Sequence, residues 1–319
     1  MAYVSIFLEQ RQISYGGGVY ESVSGVIKSI ALRMLVGFGR FLPDRILDCV
    51  ARLMTSILWL TNARLRDVLI KRIEQVLSGT VSESLIEATA RGCLLTAVRY
   101  YTDLPRYSRL AGEDFAQYID EFVGLNLLFE ALDQGKGVIV ISAHLGNPEI
   151  VGQAIGRFGL NTGVISEALA SDPVEKFMNR IRRRTGVCFF PTTFSGLRRA
   201  HKHLKSGGLL ALLADRDVVG TARLFDFFSS KAPVPEGALQ LAESTGAEVL
   251  IFWAPRTRPG HYGIHFKKVH FNFHGSDSVQ ERLENMQSLI SELEDGITRW
   301  PNQWFPLNPI WVDQLNKDM

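Results

Sequence analysis

At 319 residues, 46% of them hydrophobic, the chain can bury a large core, as one α/β domain or as a helical segment with a domain attached. A formal charge of +2 is too small to argue for a nucleic-acid partner. The three cysteines, Cys49, Cys93 and Cys188, lie far apart and fit neither a metal nor a disulfide pattern, so a reducing cytoplasmic setting is expected.

Residues 1–22 end in Gly16-Gly17-Gly18 and read as a loose arm, without the basic start and apolar core of a signal peptide. Residues 23–133 read as helical. After Pro43-Asp44, the residues Ile46, Leu47, Val50, Leu53, Met54, Ile57 and Leu58 recur at helical spacing, which makes an amphipathic stripe. Such a stripe either packs on a domain or lies in a membrane interface with Trp59 and the nearby basic residues at headgroup level. No stretch reaches the roughly 18 uncharged apolar residues of a membrane-spanning helix. Further helices are expected over Asn62 to Leu77, Ser82 to Tyr101 and Glu113 to Leu132, with Pro105 separating the last two.

Over 134–319 the period changes. Short apolar runs at Val138–Ser142, Gly163–Ser166, Val187–Phe190, Leu209–Ala214, Ala222–Phe227, Glu248–Trp253 and Gly263–Phe271 are interleaved with helix candidates at 148–158, 173–184, 194–205 and 236–245. This alternation predicts an α/β core with a mixed, mostly parallel sheet flanked by helices. A last helix over Val279 to Arg299 leads into the aromatic Trp300-Pro-Asn-Gln-Trp-Phe305.

The chemistry-bearing segment is His144-Leu-Gly-Asn-Pro-Glu149. It follows the buried run Val138–Ser142 and opens a helix, with Asn147 as a favoured N-cap and Pro148 at the first helical position. Glu149 then sits in the first turn, where the helix dipole favours a carboxylate. The turn lets that carboxylate fold back on the imidazole, giving a base with its orienting acid for activating a hydroxyl or amine. A satisfied structural histidine in an ordinary α/β connection is the plainer reading. Asp215-Arg216-Asp217 ends another buried run, where ligands bind in open α/β sheets; the two aspartates suit a supporting ion-paired turn, and Arg216 suits an oxyanion. Glu167 follows the Gly163–Ser166 run, and Arg180, Arg182, Arg183 and Arg184 close the next helix candidate, as surface charge or as partners of Glu167 or of a phosphate. His201 and His203 read as part of an exposed basic face. The late histidines show no metal spacing, and no hydrolase, kinase or dinucleotide motif is present, so no metal site is expected.

In this order the pieces resemble the lysophospholipid acyltransferase superfamily, in its bacterial branch of lipid A and phosphatidylinositol mannoside acyltransferases. The match is carried by His144 and Glu149 as His-x4-Asp/Glu, by Asp215-Arg216-Asp217, by Phe227-Phe228-Ser229, by Pro235-Glu236-Gly237 and by Thr245-Gly246-Ala247, over about residues 125–310. Pro148 stands for the usual aromatic, Ser229 for a glycine, and Leu224 where phosphatidylinositol mannoside acyltransferases carry glutamate.

The resemblance implies an acyltransferase (EC 2.3.1) that moves a fatty acyl group from acyl-CoA or acyl carrier protein to a hydroxyl of a lipid or glycolipid. It implies His144 as base and Glu149 as its acid. Glu167, Arg182, Asp215, Arg216 and Asp217 would then line the substrate site. It further implies no cofactor beyond the acyl donor, and a peripheral position on the cytoplasmic face of the inner membrane. A non-catalytic lipid-binding relative, or an acyltransferase for a soluble metabolite, are the alternatives.

Overall fold

The computed structural model describes residue 30 and residues 32–79, 81–107, 116–157, 159–166, 177, 186–217, 220, 222–273 and 279–315. The expected arm over 1–22, and the helix candidate over 173–184 apart from residue 177, lie outside them.

Helices α1 (Asp44–Thr61), α2 (Ala63–Val76) and α3 (Glu83–Thr102) form an N-terminal layer. Asn62 ends α1, and its side chain accepts from the Leu65 N–H at 2.9 Å, so one residue stops a helix and caps the next; the two helices are bent by 100°. The apolar residues of α1 divide into a buried set and an outward set. Leu47, Ala51, Leu58 and Trp59 are buried, the last three among Leu69, Ile73, Leu94 and Val98 of α2 and α3. Ile46, Leu53, Ile57 and Leu60 face outward at helical spacing, Leu60 at 77% exposure.

The stretch expected as one helix over Glu113 to Leu132 contains instead a strand, β1 (Ile119–Val123), and a helix, α5 (Leu125–Asp133), after the single turn α4 (Leu104–Tyr107). Gly124 between them has φ +67°, and a Cβ there would sit 2.3 Å from the Phe266 carbonyl oxygen. The left-handed glycine breaks the helical run and lets β1 pair.

The remaining elements are β2 (Val138–Ser142), α6 (Pro148–Arg157), β3 (Thr162–Ser166), β4 (Cys188–Pro191), α7 (Phe194–Lys205), β5 (Leu209–Leu213), β6 (Arg223–Phe227), β7 (Ser230–Val234), α8 (Gly237–Thr245), β8 (Glu248–Trp253), β9 (Arg256–Arg258), β10 (His261–Lys268), α9 (Val279–Arg299) and α10 (Val312–Leu315). The main sheet runs β1-β10-β8-β2-β5-β3-β4, with β9 on β10; β8, β2, β5, β3 and β4 are parallel and β10 joins β8 antiparallel. Every residue of β2 is buried, as a central parallel strand covered on both faces requires. The pleat sends Val138 and Val140 to one core with Leu250 and Phe252, and Ile139 and Ile141 to the other with Val249, Ile251 and Leu289.

Strand β7 was not legible as a strand because Pro233 lies within it. Among the described residues it pairs only with β6, in a separate two-stranded hairpin, where Pro233 faces Leu224.

The helical layer is bound to the C-terminal segment. The fully buried Arg72 guanidinium donates to the carbonyls of Pro306 and Asn308, Cys93 Sγ to Pro301 O, and Thr96 to Asn302 O.

Candidate active site

Strands β2 and β5 are parallel neighbours, and Ser142 stands opposite Leu213. Two residues beyond each, at the carboxyl end of the sheet, come His144 and Asp215, so the register itself sets the pair side by side. His144 Nδ1 lies 2.7 Å from Asp215 Oδ1, and the His144 backbone N–H donates to Asp215 Oδ2 at 3.0 Å. The indole N–H of Trp304 donates to the same Oδ2 at 2.8 Å. Burial would raise the carboxyl of Asp215, but the facing His144 ring, its hydrogen bond and the Trp304 and backbone donors outweigh it and hold the group at about 2. An ionised Asp215 makes Nδ1 the donor and leaves Nε2 as an acceptor.

The turn carrying His144 is gripped from both sides. Gly146 N–H donates to Gln303 O, Phe305 N–H to His144 O, and Asn147 N–H to Ala254 O. Gly146 has φ +64°, and a Cβ there would lie 1.9 Å from Ala254 O, so only glycine permits this approach. Asn147 caps α6 as expected, its Oδ1 accepting from Ile150 N–H at 3.3 Å.

The acid on Nδ1 is therefore Asp215, where the sequence reading placed Glu149. Glu149 accepts from Tyr100 Oη at 3.1 Å and lines the same cavity. Asp217 accepts from the backbone N–H groups of Gly220 and Ala222, so it shapes the loop into β6; Arg216 borders the cavity. Glu167 and Arg182 lie outside the described residues. The sequence did not single out Trp304, and it read His201 of α7 only as part of an exposed basic face. The only signal for Trp304 was its place in an aromatic cluster after the last helix.

The cavity has a volume of about 890 Å³, within the range of small-molecule sites. Val140, Ser142 and Val164 border it from one sheet face and Ile165 and Leu212 from the other, so it passes over the carboxyl ends of the strands beside His144. Phe305 stands edge-on to the His144 ring, with centroids 6.1 Å apart. Among the described residues no group of three His, Cys, Asp or Glu side chains is placed to hold a metal.

A family model described as bacterial lipid A biosynthesis acyltransferase matches residues 24–312. A phosphatidylinositol mannoside acyltransferase of Mycobacterium tuberculosis (strain ATCC 25618 / H37Rv) is 25% identical over 228 residues, 69% of each chain. A protein of the same name from Mycolicibacterium smegmatis (strain ATCC 700084 / mc(2)155) is 23% identical over 244 residues, 72% of this chain and 74% of the relative.

Proposed function

The chain belongs to the bacterial lipid A biosynthesis acyltransferase family, and on that premise we propose that it carries a fatty acyl group from a thioester donor, acyl-CoA or acyl carrier protein, to a hydroxyl of a lipid or glycolipid, with His144 as general base and Asp215 as its orienting acid. The observation that supports this reading is the buried carboxylate on Nδ1 of an imidazole that borders a mostly apolar cavity. Nε2 takes the proton of the acceptor hydroxyl as its oxygen bonds to the thioester carbonyl carbon. The tetrahedral intermediate collapses with loss of the C–S bond, and the imidazolium returns the proton to the leaving thiolate. In this proposal Arg182 supplies the oxyanion donor. Incubating wild type and His144→Ala with each donor and a bacterial lipid extract, and reading acylated products by mass spectrometry, tests it. Equal product from both proteins refutes the assignment.

The same reading places the enzyme at a membrane surface. No single helix among the described residues is long and apolar enough to cross a bilayer; the bent pair α1 and α2 passes that test only taken together. The outward residues Leu53, Ile57 and Leu60 of α1, with Phe38 and Phe41 ahead of it, are flanked by the exposed Arg33, Arg40, Arg45 and Arg52. That pattern suits an acyl–headgroup boundary with anionic lipid. Leu53→Ser/Leu60→Ser is expected to abolish co-flotation with anionic vesicles while leaving transfer to a detergent-dispersed acceptor within about twofold. Unchanged flotation removes this face from the membrane.

A further inference from the structure

One helix at the cavity rim is not used by the chemistry above. Helix α7 reads Phe-Ser-Gly-Leu-Arg-Arg-Ala-His-Lys-His-Leu-Lys and carries no acid. Gly196, Ala200 and Leu204 form its buried side. Phe194, Leu197, Arg198 and His201, at i, i+3, i+4 and i+7, make one stripe that borders the cavity. Phe194 is 86% exposed and Leu197 40%, an outlay of apolar surface that a helix otherwise turns inward.

Of the other basic residues of α7, Lys202 does not border the cavity and three have different tasks. Arg199 stacks on Phe190 at 5.7 Å, His203 Nε2 hydrogen-bonds Leu209 O at 3.0 Å, and Lys205 donates to Thr245 O at 3.0 Å. Arg198 and His201 are the ones directed to the rim. The acids that share the cavity are engaged elsewhere: Asp217 with backbone N–H groups, Glu149 with Tyr100, and Glu236 with Arg223 at 3.7 Å. The α7 side of the opening thus presents a guanidinium and an imidazole, with two apolar side chains beside them.

That combination fits an amphipathic tether ending in a phosphate. We propose that the α7 stripe receives the phosphopantetheine arm of the acyl donor, with Arg198 and His201 pairing with its phosphate and Phe194 and Leu197 covering the arm. The assignment rests on the acyl-transfer reading and adds the place where the donor is held. Coenzyme A and an acyl carrier protein share this phosphate, so the chemistry is common to both carriers.

Binding of non-reactive thioether analogues tests it without any turnover, so its failure is separable from failure of the acyltransferase assignment. Long-chain S-alkyl phosphopantetheine and S-alkyl pantetheine are titrated calorimetrically into wild type, Arg198→Ala and His201→Ala. Wild type is expected to prefer the phosphorylated analogue by about tenfold or more, the scale of a charge-assisted contact. Arg198→Ala is expected to remove most of that preference, with the affinity for S-alkyl pantetheine unchanged. Equal affinity of wild type for the two analogues overturns the proposal, as does a preference that survives in Arg198→Ala, or an equal loss for both analogues. S-alkyl-CoA and S-alkyl carrier protein, titrated in parallel, identify the carrier; the one wild type binds must weaken in Arg198→Ala, and if it does not, the proposal falls.

Discussion

His144 and Asp215 stand 71 residues apart in the chain, yet Nδ1 and Oδ1 meet at 2.7 Å because adjacent parallel strands end in step. A pair set by strand register is held by the sheet rather than by a flexible turn. Its two members are therefore expected to dominate catalysis over Glu149. Asp215→Asn is expected to lower kcat by about 10²–10⁴-fold, since an amide does not hold the donor tautomer at Nδ1, whereas Glu149→Gln costs less than about tenfold. Single-turnover acyl transfer checks the ranking, and the reverse order returns the acid's role to Glu149.

Trp304 is expected to act through Asp215, to which its indole N–H donates. Trp304→Phe keeps one aromatic ring and removes the N–H that reaches Oδ2 at 2.8 Å, together with the pyrrole half of the buried indole. We expect kcat to fall by about tenfold, the scale of one hydrogen bond to a charged group, with KM for both substrates unchanged. A proportional change in KM would make Trp304 a packing residue only.

Acid sensitivity follows from the same carboxylate. The folded value of Asp215 lies near 2, below the ordinary 3.8, so its contribution is complete above the ordinary value and is lost as pH falls through the folded one. Stability from this group, on the order of 2 kcal/mol, should drain between about pH 4 and pH 2. Urea midpoints across that interval should decline less steeply for Asp215→Asn than for wild type.

Ser229 occupies the second position of the β6–β7 turn with φ +60°, after Phe228 at +48°. A two-residue hairpin of type I′ needs this left-handed backbone at both positions, and glycine adopts it without strain. Ser229→Gly is expected to stabilise the fold by about 0.5–1 kcal/mol, the left-handed penalty less the added freedom of the unfolded chain. A raised melting temperature at unchanged activity checks it.

Acyl selectivity should track apolar fit in the cavity. Each buried methylene contributes about 0.8 kcal/mol, so a donor two carbons shorter than the preferred one is expected to lose about tenfold in kcat/KM. A flat profile across chain lengths would take the acyl chain out of this cavity.

The α/β core was legible because buried parallel strands are short apolar runs, and β2, β5 and β8 fall where those runs do. Residues 119–123 were not, since Asp120 and Glu121 interrupt the apolar pattern. That strand is specified by its neighbour β10, where Glu121 meets His265 at 2.8 Å. In the site, the histidine, the capped turn and the aspartate at the end of β5 could each be seen locally. Which carboxylate meets the imidazole could not, because it depends on β2 and β5 being neighbours although β3 and β4 lie between them in the chain. Trp304 was invisible for the same reason: nothing local says that a tryptophan after the last long helix returns to the sheet.

That late segment, from Pro301 to Asn308, bonds the helical layer on one side and brackets His144 and Asp215 on the other. During synthesis the imidazole emerges from the ribosome long before Trp304 does. The surroundings of the His144–Asp215 pair are thus completed only after the segment that follows α9 has been made and has packed back on the sheet.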